Sequence, residues 1–119
     1  GVDPALLGRR MASMAEWGGN ADYALATAAK LVPVPEAFDW KLAAAFATCA
    51  PTCWHLVHSA AAVTPGMSVV VHSAAGAVGA LTLQIARDAG ARVIGLAGGP
   101  RKLEYAARFG AAKLIDYLA

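Results

Sequence analysis

The sequence predicts an α/β fold built on a doubly wound parallel sheet, and three observations carry that prediction. From residue 64 onward, short β-branched runs alternate strictly with helical patterns. Each of those helical patterns is closed by a glycine, Gly90 and then Gly110. A glycine-bearing bend, Ala74-Ala75-Gly76-Ala77-Val78-Gly79, joins the first run to the first helix. The order is β-α-β-α-β, and right-handed crossovers make such strands parallel.

Before residue 64 the pattern is looser. Gly8-Arg9-Arg10-Met11 and Tyr23-Ala24-Leu25-Ala26 read as short strands around a Trp17-Gly18-Gly19-Asn20 turn. Leu31-Val32-Pro33-Val34-Pro35 is extended, because each proline pushes its predecessor out of the helical region. Asp39 then caps a helix running through Leu42-Ala43-Ala44-Ala45-Phe46. Pro51 lacks an amide proton, so it either kinks this helix or starts a second one toward Val63.

Thr64-Pro65-Gly66-Met67 is a turn. Ser68-Val69-Val70-Val71-His72 has the apolar, branched character of a strand buried on both faces. The helix after the glycine bend is expected to turn Val78, Leu81, Ile85, Ala86 and Ala89 inward. Arg92-Val93-Ile94-Gly95-Leu96 is the second strand. Pro100 starts a helix with Leu103, Ala106 and Ala107 inward. Lys113-Leu114-Ile115-Asp116-Tyr117 opens a third strand.

Composition narrows the function classes. The 119 residues are 58% hydrophobic and 15% charged, with a formal charge of +2. That is too apolar for a disordered chain and too weakly charged for a nucleic-acid binder that works through phosphate contacts. No apolar stretch approaches the roughly 18–20 residues of a membrane span. Gly1-Val2-Asp3-Pro4 has neither the positive flank nor the apolar core of a secretory signal. These features predict a soluble, cytoplasmic protein without nucleic-acid or membrane partners.

The glycine bend carries the functional argument. A phosphate needs backbone amides at close range, no side chain in the way and the positive end of a helix dipole. Gly76, Ala77, Val78 and Gly79 lie where strand turns into helix, which supplies all three. Ala74 replaces the first glycine of the G-x-G-x-x-G pattern, so the setting matters more than the motif. The setting is that of a partial Rossmann-type dinucleotide-binding domain. About 20 residues on, an NAD-binding chain presents an acid to the ribose hydroxyls. Here the residues are Leu96-Ala97-Gly98-Gly99-Pro100-Arg101-Lys102, with two cations and no acid. Arg101 and Lys102 suit the extra phosphate of NADP through charge-assisted hydrogen bonds. As plain solvated charges they would oppose the helix dipole by about 0.3–1 kcal/mol.

Other candidates are weaker. Cys49 and Cys53 share a helical face, but two ligands make no zinc site, and both read as small buried apolar residues. No metal is expected. His55, His58 and His72 have no carboxylate or nucleophile at suitable spacing, although His72, at a strand end, is placed to orient the bend. There is no G-x-S-x-G elbow and no nucleoside-triphosphate loop. No residue is singled out as catalytic.

An ordered series of residues extends the reading. Ala43-Ala44-Ala45, Thr52-Cys53-Trp54-His55-Leu56, Pro65-Gly66 and the run from Val69 to Gly79 resemble the zinc-independent quinone oxidoreductase branch of the medium-chain dehydrogenase/reductase superfamily. The likeness continues through Gln84, Gly90-Ala91, Val93-Ile94-Gly95, Lys102, Gly110-Ala111 and Ile115-Asp116-Tyr117. Upstream, Gly8-Arg9-Arg10-Met11 and Gly19-Asn20-Ala21-Asp22-Tyr23-Ala24 resemble the end of that family's GroES-like domain.

The resemblance implies NADPH as cofactor, with hydride passing to a quinone or α,β-unsaturated carbonyl without a metal. It implies that Thr52 approaches the nicotinamide ribose side, while Gly76, Ala77, Val78 and Gly79 hold the pyrophosphate. Gly98 and Lys102 would meet the 2′-phosphate, and Tyr117 would flank the adenosine end. Where the family has two consecutive glycines this chain has Gly76-Ala77, and Thr48 is near the place of a metal-binding cysteine in zinc-dependent relatives.

The expected domains are the C-terminal part of a GroES-like domain over 1–38, a linking helical segment over 39–63 and the N-terminal half of a Rossmann domain over 64–119. Members of the resembled family are much longer. The chain is therefore expected to be a fragment, one piece of a split enzyme or a stretch of a longer chain, and to work as a homo-oligomer or with a complementing chain. The reading from another class is a non-enzymatic remnant that binds a dinucleotide weakly or serves as a subunit of an assembly.

Overall fold

The structure is a computed structural model that describes residues 2–14 and 17–119; Gly1 of the opening segment lies outside the described residues. The chain forms two compact units, Gly1–Thr48 and Cys49–Ala119. The break falls inside the segment read above as a linker over 39–63.

Arg10 organises the first unit. A single turn of 3-10 helix, Pro4–Leu6, is capped by the Asp3 carboxylate on the Ala5 amide and leads to β1, Met11–Ala12. β1 pairs antiparallel with β2, Val32–Pro33. Beyond the pair, the Arg10 carbonyl accepts from the Val34 amide at 2.9 Å. The Arg10 guanidinium donates to the carbonyls of Glu36 and Phe38 and lies 4.1 Å from the Trp40 ring centre, a cation–π distance.

Two expectations for this unit are corrected. The strand partner is Val32–Pro33, and Tyr23–Ala26 forms no strand. Tyr23 and Leu25 are 93% and 95% exposed, so β-propensity there finds no surface to pack on. Gly8-Arg9-Arg10 precede the strand rather than forming it, because Gly8, at φ +70°, turns the chain after the 3-10 segment.

Asp39 caps α1, Trp40–Trp54, as its residue type predicts. Its Oδ1 accepts from the amides of Lys41 at 2.8 Å and Leu42 at 3.1 Å. At Pro51 the helix neither stops nor restarts. It stays α-helical to Trp54 and becomes π-helical over His55–Ala60. A proline deletes one amide donor, and the neighbouring turns keep theirs.

In the second unit a Pro65-Gly66 turn, with Gly66 at φ +88°, leads into β3, Ser68–Val71. Then follow α2, Ala77–Asp88; β4, Arg92–Ala97; α3, Pro100–Ala107; and β5, Lys113–Asp116. The strands are parallel in the order β3-β4-β5, with Val69 opposite Val93, Val71 opposite Gly95 and Gly95 opposite Leu114. This is the Rossmann-type α/β arrangement the alternation predicts.

Leu83 and Ala86 of α2 and Ala106 of α3 pack with Val71 and Val93 in one core. Both helices therefore cover the same face of the sheet. The expectation that β3 is buried on both faces fails for that reason: Val70 points to the opposite face and is 61% exposed. The inward faces of the helices are also re-phased. α2 seats on Gly79, Ala80, Leu83 and Ala86 while Val78 is exposed, and Ala107 of α3 is exposed beside buried Ala106. Small residues bring the helix axis close to the sheet, so the seat follows size as well as hydrophobicity.

Leu83 is fully buried in this core. Leu83→Ala is expected to cost about 2–5 kcal/mol in urea unfolding. Val70→Ala, on the open face, should fall within about 0.5 kcal/mol of the parent.

Candidate functional site

The site lies beyond the C-terminal ends of the three parallel strands, where open α/β sheets bind ligands. After β3 the chain passes through His72 and Ser73, the latter at φ +54°, and enters α2 through Gly76. Gly76 is the N-cap residue and no side chain caps this helix, so its first-turn amides are presented as an anion would need them. Gly79 is required by contact: a Cβ there would stand 2.2 Å from the Ser73 carbonyl oxygen. Ala74, in place of the first glycine of the pattern, is fully buried, and its methyl fills space above Gly95. Ala77 is exposed, so its methyl is turned away from the sheet.

β4 is followed by Gly98-Gly99, and Gly99 at φ +84° is the N-cap residue of α3. Pro100, Arg101 and Lys102 make the first turn, which contains no acid. The chain leaves β5 through Tyr117. A Cβ on Gly98 would lie 2.9 Å from the Tyr117 ring, so the glycine is what lets the ring close over this turn. The His72 imidazole stacks on the same ring, with centres 5.3 Å apart and planes 12° from parallel.

A cavity of about 180 Å³ opens between these turns, lined by Ser73, Ala75, Gly76, Ala97, Gly98, Lys102 and Tyr117. Of the residues singled out from sequence, it brings together Gly76, Gly98, Lys102 and Tyr117. Thr52 on α1 and Ala77, Val78, Gly79 and Arg101 in the helical first turns are not among its lining residues. A second cavity, about 420 Å³ and lined by Met14, Trp17, Leu25, Ala26, Thr27 and Lys30, contains no candidate residue.

Sequence reasoning missed Asp116 as a structural tie. Its Oδ1 accepts from the amides of both Gly99 and Leu118, each at 2.9 Å. The Gly99 amide and then the Leu118 amide hold its carboxyl below the ordinary 3.8, against a small opposing push from burial. An acid two residues before an amide in a turn is a known local signal, whereas its bond to Gly99, 17 residues away, is not visible in sequence.

The remaining candidates are accounted for by local contacts. Cys53 is buried and its thiol donates to the Val78 carbonyl at 3.3 Å. Cys49 is half-buried. His55 Nδ1 lies 3.0 Å from Ser59 Oγ, and the His58 ring packs on Trp54 with centres 4.0 Å apart. Among the described residues, no three His, Cys, Asp or Glu side chains converge as a metal set, and no helix is long and apolar enough to cross a membrane.

Two measurements test this geometry. Gly79→Ala should cost about 1–3 kcal/mol in urea unfolding, because the carbonyl it meets is backbone that cannot rotate away. The folded-state Asp116 value is depressed, so its contribution is present above 3.8 and is lost as pH falls through the lowered value. Wild-type stability should therefore exceed that of Asp116→Asn at neutral pH, with the gap closing in urea melts taken below 3.8.

Comparison with known proteins agrees with this architecture. Residues 77–119 match the family model for zinc-binding dehydrogenases. A search of curated proteins finds no match. Among solved structures, the quinone oxidoreductase of Thermus thermophilus, whose structures include a complex with NADPH, is 36% identical with a TM-score of 0.86. That similarity covers 93% of this chain and 37% of the other. The CurK enoyl reductase is 29% identical, TM-score 0.70, over 76% of this chain and 27% of its own. An NAD-dependent alcohol dehydrogenase is 36% identical, TM-score 0.73, over 76% and 26% respectively. This chain thus spans little more than a third of the first structure and about a quarter of the other two. With its parallel sheet, glycine bend and open strand ends, the chain matches part of a medium-chain dehydrogenase/reductase in fold and in sequence.

Proposed function

We propose that this chain carries the adenosine and pyrophosphate half of an NADPH site, in an oxidoreductase that passes hydride to a quinone or an α,β-unsaturated carbonyl. One observation carries the reading: Gly76, Gly98, Lys102 and Tyr117, drawn from three separate strand ends, line one cavity. Gly76, Ala77, Val78 and Gly79 would hold the pyrophosphate, with the Gly76 amide itself donated to the Ser73 carbonyl at 2.8 Å and the first-turn amides after it left for the anion. Lys102, with Arg101 beside it, would pair with the 2′-phosphate, and Tyr117 would flank the adenosine. Thr52 would stand toward the nicotinamide ribose. The bound cofactor supplies the hydride, and this chain's residues bind and orient it.

The similarity to a quinone oxidoreductase with an NADPH complex and to an enoyl reductase supports the acceptor class. The absence of an acid in the first turn of α3 favours NADPH over NADH, because an acid there would repel the extra phosphate. The metal-free form of the reaction rests on Thr48, near the place where zinc-dependent relatives carry a metal-binding cysteine. The expected assembly, as a homo-oligomer or with a complementing chain, is supported by the open sheet face around Val70 and Ile115. The reading places the protein in the cytoplasm, where reduced nicotinamide cofactors are used.

Cofactor titration followed by fluorescence or calorimetry tests the proposal. The chain should bind NADPH more tightly than NADH, and Lys102→Ala should weaken NADPH by about 10-fold or more while leaving NADH unchanged. Equal affinities in the parent would remove the 2′-phosphate assignment. Binding of neither cofactor would instead favour the non-enzymatic remnant.

A further inference from the structure

We propose that Asp116 is a positioning residue for the 2′-phosphate end of this pocket, holding the two turns that form it through the amides of Gly99 and Leu118. The inference rests on the NADPH reading above and deepens it. Lys102 is carried by the β4–α3 turn and Tyr117 by the chain leaving β5. Two ties join them: the Asp116 carboxylate on the Gly99 amide at 2.9 Å, and the Ala97 carbonyl on the Tyr117 amide at 3.3 Å.

The Gly99 amide is a consequential place to hold. Gly99 has left-handed φ, Pro100 after it has no N–H, and no side chain caps α3. Holding Gly99 therefore sets the direction in which the first turn of α3, with Lys102, leaves the sheet. At its other bond the same oxygen takes the Leu118 amide two residues on, which bends the chain so that the Tyr117 ring lies against Gly98. One carboxylate oxygen thus registers the cation against the ring that shares its cavity.

A carboxylate this near a phosphate pocket would be a liability if its charge were what mattered. The geometry needs only an acceptor oxygen at that position. Asparagine offers the same oxygen without the charge, whereas glutamate keeps the charge and moves the oxygen by one methylene. The two variants separate placement from electrostatics.

The test is titration of NADPH and NADH into the full chain, with circular dichroism reporting the fold of each variant. Asp116→Asn should keep the NADPH preference. Asp116→Glu should weaken NADPH by about tenfold and NADH by clearly less, because NADH loses only the Tyr117 contact with the shared adenosine. A merely structural tie would lower both cofactors together. An unchanged NADPH-to-NADH ratio in Asp116→Glu, an equal loss of both cofactors, or a loss in Asp116→Asn as large as in Asp116→Glu would overturn the assignment. If the wild type discriminates and Lys102→Ala does not, only the role of Asp116 is at stake in these variants. If the wild type fails to discriminate, the NADPH reading itself falls, and this inference with it.

Discussion

The passage from β3 into α2 is governed by one close approach. The carbonyl of Ser73 occupies the space that a side chain at position 79 would need, 2.2 Å from the place of its Cβ. With no Cβ at Gly79 the helix sits tight against the bend, and that closeness brings Leu83 and Ala86 onto Val71 and Val93. The same closeness aims the first turn of α2 across the strand ends. A core that buries Leu83 and a bend that brings Ser73, Ala75 and Gly76 to the cavity are therefore one feature seen from two sides. A change at position 79 therefore acts on the packing of α2 and on the shape of the bend together.

A second constraint acts at the neighbouring strand ends and is electrostatic. Arg101 and Lys102 stand in the first turn of α3, where the helix dipole disfavours cations, and no acidic residue joins them there. The nearest acid that the turns themselves employ is Asp116, and its Oδ1 accepts from two amides. The carboxylate thus serves to hold backbone while the cations are left beside the cavity. A dianionic phosphate at that place would be welcomed by both the cations and the helix terminus, which is why the arrangement makes more sense with an anion than without one.

Much of the second unit was legible in the sequence because its signals are local. Val69-Val70-Val71, Pro100 and the helix-closing Gly90 and Gly110 each declare a strand, a start or a stop by their own stereochemistry. The phase of α2 was not legible, for an alanine-rich helix has little contrast in hydrophobicity, and closeness to the sheet selected Gly79 and Ala80 over Val78. The pairing of β1 with β2 was missed because Tyr23–Ala26 has strand-like residues, whereas Val32–Pro33 carries a proline that can serve only at an edge. Of the candidate site, Gly76, Gly98, Lys102 and Tyr117 stand out in the sequence and share one cavity in the structure. What ties them together, Asp116 to Gly99 and His72 to Tyr117, spans strands and is a property of register alone.

The departures from the glycine pattern follow from the same geometry. Ala74 stands where the pattern has its first glycine, yet it lies fully buried beneath the bend, with its methyl meeting the open space above Gly95. A side chain at 74 is accommodated because position 95 has none: a Cβ on Gly95 would lie 3.0 Å from that of Ala74. Ala77 stands where the resembled family has a second glycine, and it is exposed on the first turn of the helix. Its methyl is turned away from the sheet and lies outside the lining of the cavity. The substitution that touches the core is thus compensated within the core. The one that faces solvent needs no such compensation, so within a bend of six residues packing constrains Ala74 and leaves Ala77 outside its demands.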